Sequence, residues 1–118
     1  MEKTITIDGR EIRLRASAAI PRLYRLKFHR DIMQDMAAIQ KELDKQKDPD
    51  ASTLPVETLT MFENIAYLMA LHGDPGSVPT DVNEWLDGFD TFSVYAIFPV
   101  IEEMWRDNVR QLNHPQKK

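Results

Sequence analysis

The chain has 118 residues, no cysteine, and a net charge of −4 from 15 Lys and Arg against 19 Asp and Glu. That length is one domain's worth, so a single domain over residues 1–118 is expected. The missing thiols exclude a disulfide framework, a thiolate zinc site and a cysteine nucleophile. The longest apolar stretch, Phe92–Ile101, contains Ser93 and Pro99 and falls well short of the ~20 residues of a membrane span. The start Met1-Glu2-Lys3-Thr4 has no apolar signal core, so the sequence predicts a cytoplasmic protein with no membrane partner.

In chain order, the first signal is a β-hairpin over residues 1–16. Ile5 and Ile7 alternate with Thr4 and Thr6, Ile12 and Leu14 alternate with Arg13 and Arg15, and Asp8-Gly9 lies between them. Asp-Gly suits a two-residue type I′ turn, whose central residues both need positive φ. An isolated hairpin is marginal, so its apolar face must rest on the helices that follow. Pro21 suits the first turn of a short helix over Pro21–His29, in which Leu23, Leu26 and Phe28 are expected to be buried. Asp31 reads as the start of a second helix. Its apolar stripe is Ile32, Met36, Ile39 and Leu43, and Gln34, Asp35, Lys41, Glu42 and Lys45 are assigned to the opposite face. Residues 47–55 (Lys-Asp-Pro-Asp-Ala-Ser-Thr-Leu-Pro) have the composition of a mobile linker.

Pro55–Leu71 is apolar over much of its circumference, which marks a central helix, and Gly73 reads as its stop. Thr80 is the expected N-cap of a short helix that carries Val82, Trp85 and Leu86 and ends at Gly88. The last helix is expected from about Thr91 to Val109, with a kink or break at Pro99, and residues 112–118 as a frayed tail. The fold class is α+β, mainly α: a two-stranded N-terminal hairpin followed by about five helices, the helical part running over 20–109.

Charge is unevenly distributed. Residues 1–30 hold eight Lys or Arg and three acids, whereas residues 48–105 hold eleven acids and no Lys or Arg. Such poles are either separately solvated, meet between subunits head to tail, or bind a charged partner.

Sites for chemistry are few. His29, His72 and His114 fall in separate elements without metal-ligand spacing. His72, near a helix C-terminus, is placed to favour its charged form. Asp31 and Asp35 share a helix face but have no Glu-x-x-His companion, and Asp48 and Asp50 lack the glycine and the terminal glutamate of a calcium loop. No glycine belongs to a phosphate-cradling motif, and Ser17, Ser52, Ser77 and Ser93 have no nucleophile-elbow context. No catalytic, metal or cofactor residue is therefore assigned. Arg22, Arg25, Lys27 and Arg30 with Tyr24 could touch phosphates, but the apolar residues among them and the acidic remainder of the chain disfavour nucleic acid. Six methionines, two tryptophans and five phenylalanines suit either core or an adaptable binding surface.

An ordered set of segments carries a resemblance. It comprises Thr4-Ile5-Thr6-Ile7-Asp8-Gly9-Arg10-Glu11-Ile12-Arg13-Leu14-Arg15-Ala16, Pro21-Arg22-Leu23-Tyr24-Arg25, Phe28-His29-Arg30-Asp31-Ile32, Phe62-Glu63-Asn64-Ile65-Ala66-Tyr67, Glu84-Trp85-Leu86-Asp87-Gly88-Phe89 and Tyr95-Ala96-Ile97-Phe98-Pro99. Over roughly residues 1–107 the chain resembles the tail assembly chaperones of long-tailed bacteriophages and prophages. The resemblance implies a non-enzymatic protein of the host-cell cytoplasm, absent from the mature virion. Such a protein coats the tape measure protein, recruits tail tube protein and self-associates into a homo-oligomer. Its expected client or self-contact residues are Arg22, Arg25, Phe98, Ile101, Met104 and Trp105. A frameshifted longer form is also expected if Gln116-Lys117-Lys118 is encoded by a slippery run. The competing readings are a small structural or head–tail connection protein of the phage and a DNA-binding regulator.

Overall fold

Strands β1 (Glu2–Ile7) and β2 (Arg10–Arg15) pair antiparallel, with Ile5 opposite Ile12 and Ile7 opposite Arg10. That register leaves Asp8 and Gly9 as the turn, and both take positive φ, 53° and 77°, as an Asp-Gly type I′ turn requires. One hairpin face carries Ile7, Ile12 and Leu14 into the core, while Thr4, Thr6, Arg13 and Arg15 on the other face stay exposed. The pairing puts Lys3 and Arg10 on the core-side face too, and each resolves this by reaching past the edge. Lys3 pairs with Glu103 at 3.4 Å. The Arg10 guanidinium donates to the Gly88 carbonyl at 2.8 Å and lies 4.7 Å from the centroid of the Phe89 ring.

The computed structural model describes residues 1–45 and 54–113, with side chains through Asp107. Five helices follow the hairpin among the described residues: α1 (Ile20–Phe28), α2 (Ile32–Lys45), α3 (Val56–Gly73), α4 (Val82–Leu86) and α5 (Val94–Asn113). The fold class is therefore α+β, mainly α. All but Leu54 and Pro55 of the expected linker, and the tail from His114 onward, lie outside the described residues.

Helix α3 is the axis of the molecule. It touches β2, α1, α2, α4 and α5, and Met61, Phe62 and the whole run Ile65–Ala70 are buried. A helix apolar over much of its circumference has little solvent face to offer, so the other elements assemble around it. Its C-terminal end meets the hairpin at van der Waals limits: a Cβ on Gly73 would lie 2.4 Å from the Arg13 carbonyl oxygen. Gly73 has no positive φ. The residue is there to let two backbones meet, rather than to cap the helix in the left-handed conformation.

Several local expectations are corrected. The N-cap of α4 is Asp81, whose carboxylate accepts the Glu84 N–H at 3.1 Å, not Thr80. Helix α5 starts at Val94, with Ser93 Oγ accepting the Ala96 N–H, and it runs unbroken through Pro99 to Asn113. Packing of Ile97, Phe98, Ile101 and Met104 into the core outweighs the one backbone bond that proline removes. Short α4 is held by aromatic contacts: Trp85 stands edge-on to Tyr67, Phe89 and Phe92, with centroids 5.7, 5.1 and 5.4 Å away.

Candidate functional site

Four of the six expected contact residues belong to the interior. Phe98, Ile101, Met104 and Trp105 are 1%, 0%, 0% and 7% exposed, because the stripe they form on α5 faces inward, into the same apolar cluster as α3. They are corrected from surface to core. Trp105 lines a shallow groove of about 340 Å³ between α2 and α5, beside Met33, Met36 and Ala37, and Phe98 lines another of about 480 Å³ with Leu43 and Tyr95; Glu102 and Arg106 of α5, which pair across one helical turn, line both. Arg22 and Arg25, by contrast, are exposed on α1, and neither guanidinium has a hydrogen bond or ion pair among the described residues.

Helix α1 turns Ile20 and Tyr24 into the core. Leu26, expected to be buried, is 57% exposed. With Leu23 it forms one wall of an open groove of about 460 Å³, whose other wall is Leu68 and Leu71 of α3 and whose end is Pro75. Lys27 and His72 sit on its margin, and Arg22 lies one turn before Leu26 on the same side of α1. Among the described residues no carboxylate lines this groove, and the sequence carries none between Glu11 and Asp31. Lys27 lines the groove, and its ammonium lies 3.5 Å from the Thr80 carbonyl and 5.7 Å from the centroid of the Tyr67 ring, both outside the lining.

Behind α1, the sequence concealed a polar pin. Asp35, assigned to the solvent face of α2, is 2% exposed. It accepts a hydrogen bond from the Tyr24 hydroxyl at 2.6 Å and two from the Arg30 guanidinium at 2.8 and 2.9 Å. Burial first, and the Asp35 carboxylate second, push the Tyr24 hydroxyl far above the ordinary phenol range, so it remains a donor at any physiological pH. The same carboxylate raises the Arg30 guanidinium above its usual value. The signal was present in the spacing: Ile32, Asp35, Met36 and Ile39 follow i, i+3, i+4, i+7, so Asp35 occupies the buried stripe. Asp31, its neighbour one turn earlier, caps α2 by accepting the Met33 N–H at 2.8 Å. The two carboxylates serve different tasks and do not converge.

His72 also departs from expectation. Burial, the Arg15 guanidinium and the N-terminal ammonium lower its pKa, with Glu2 opposing them, and its Nε2 shares a 2.9 Å hydrogen bond with Ser17 Oγ. The neutral ring is favoured, against the helix-dipole argument. Among the described residues, no group of three or more His, Asp or Glu is placed to hold a metal ion, and no helix is long and apolar enough to cross a membrane. The arrangement offers an apolar trough along a helix that carries exposed basic side chains, a surface that can hold another polypeptide. No family model, no curated protein and no solved structure matches this chain.

Proposed function

We propose that this protein is a tail assembly chaperone of a phage or prophage, which holds the tape measure protein soluble while tail tube protein is recruited. The observation that supports this reading is the open leucine groove between α1 and α3, with Leu26 more than half exposed and Arg22, one turn before it, unpaired among the described residues. A long helical client presents apolar stripes that such a groove can cover. Modest affinity per subunit, repeated along the client, yields tight but reversible coating. Homo-oligomerisation belongs to the same reading, with Arg25 of one copy, outside the groove, meeting the acidic surface around α4 of another.

Co-expression with the tape measure protein from the same gene cluster tests the proposal. A soluble complex and a self-associating chaperone are expected. A strictly monomeric protein that leaves its client insoluble defeats the reading. Mass spectrometry of purified virions separates it from a structural or head–tail connection protein, which would remain in the particle.

A further inference from the structure

We propose that the α1–α3 groove binds a single amphipathic helix of the client whose apolar stripe is flanked by carboxylates. This deepens the chaperone reading and rests on it for the claim that the occupant is a client polypeptide. The apolar part of the argument is geometric: Leu23 and Leu26 on one side and Leu68 and Leu71 on the other match side chains projected every three or four residues by a helix laid between them. The charged part is complementarity. Arg22 is exposed and unpaired among the described residues, Lys27 lines the groove, and no carboxylate among the described residues does. An occupant with Asp or Glu beside its apolar stripe is attracted, and one with Lys or Arg is repelled.

A second folded copy does not fit as occupant. The apolar stripes of α2, α3 and α5 are already in the core. The large hydrophobics that remain exposed among the described residues are Met1 before β1, Leu26 on α1, Met33 on α2 and Val56 on α3, and they form no stripe that a copy could lend. Joining two grooves about a two-fold axis would set Arg22 and Lys27 of each copy against those of the other, a like-charge contact.

The test uses the full chain and two synthetic peptides of about 20 residues, long enough for partial helicity in water. Both carry leucines at i, i+4 and i+7; one has glutamates on either side of the stripe and the other lysines. Calorimetric titration should detect the glutamate peptide and at least a tenfold weaker lysine peptide. Leu26→Glu, at an exposed position that tolerates a charge, should weaken the glutamate peptide by about tenfold or more, the scale of one lost leucine contact, with an unchanged circular dichroism spectrum. Arg22→Glu should narrow or reverse the preference between the peptides. Equal binding of the two peptides, or full affinity in Leu26→Glu, overturns the proposal. So does an oligomer that falls apart on Leu26→Ser, which leaves the charge of α1 unchanged, because the groove would then be a self-contact. The two readings fail separately. If Leu26→Glu still keeps the tape measure protein soluble, the groove assignment falls and the chaperone reading stands. If the wild-type protein binds the glutamate peptide but does not solubilise the client, the reverse holds.

Discussion

Asp35 shows how a single side chain can tie helices together. Its carboxylate joins Tyr24 on α1 to Arg30 in the bend before α2, so the angle at which α1 meets α2 is set by three hydrogen bonds rather than by shape alone. Removing one partner leaves buried polarity uncompensated. Tyr24→Phe should therefore cost about 1–3 kcal/mol of unfolding free energy, measured by urea denaturation. Asp35→Ala should cost more, because it also strands the Tyr24 hydroxyl in the core. His72 supplies a pH dependence of known sign. Its folded pKa lies below the ordinary 6.5, so the unfolded chain takes up a proton first as pH falls. Stability present above 6.5 should decline as pH drops from there to the lowered folded value, and then level off. Glu63, whose carboxyl burial raises its pKa, contributes with the opposite sign in the carboxylate range. The His72 contribution is therefore read as the difference in unfolding midpoint between wild type and His72→Gln across that interval, and that difference should shrink at low pH.

At the scale of elements, local signals were legible where one residue type decides the conformation. Asp8-Gly9 announced the hairpin, the unbroken apolarity of Pro55–Leu71 announced a central helix, and Asp31 announced the start of α2. Signals were lost where a distant element decides. Nothing local distinguishes Leu26, left at the surface, from Leu23 three residues earlier. The stripe Phe98, Ile101, Met104, Trp105 could equally have faced a partner until α3 was seen to cover it. Gly73 is the sharpest case: in sequence it looks like a helix stop, and in space it is where β2 crosses α3. Gly73→Ala should cost about 1–3 kcal/mol, because the obstruction is the Arg13 backbone rather than a flexible side-chain end. Faster amide exchange confined to β1 and β2, or a lowered unfolding midpoint, would report it, and an unchanged midpoint would show that the two backbones can part freely.

Over the whole molecule, the charge gradient is partly neutralised within the chain. Lys3 pairs with Glu103 across the two poles, while Arg10 to the Gly88 carbonyl and the Asp90 N–H to the Asp8 carboxylate at 2.8 Å tie the hairpin to neutral backbone groups. Arg22 and Arg25 are left over, as are the exposed acids Asp81, Glu84, Asp87 and Asp90 around α4. Attraction between such surfaces on different copies is screened over a Debye length of about 8 Å at 0.15 M salt and about 3 Å at 1 M. Self-association should accordingly weaken as salt rises from 0.05 to about 0.5 M, and Arg25→Glu should reduce it at low salt. Sedimentation velocity measures both. An oligomer indifferent to salt would place its interface on apolar surface instead.

The long reach between the hairpin and its support also bears on how the protein is made. Asp8 finds Asp90 82 positions downstream, and the strand that carries Arg13 rests on Gly73. On a ribosome adding roughly 5–20 residues per second, the isoleucines of the first two strands emerge several seconds before the helix that shelters them. During that interval the nascent segment is itself a sticky, unprotected chain, the kind of substrate its finished form is proposed to guard.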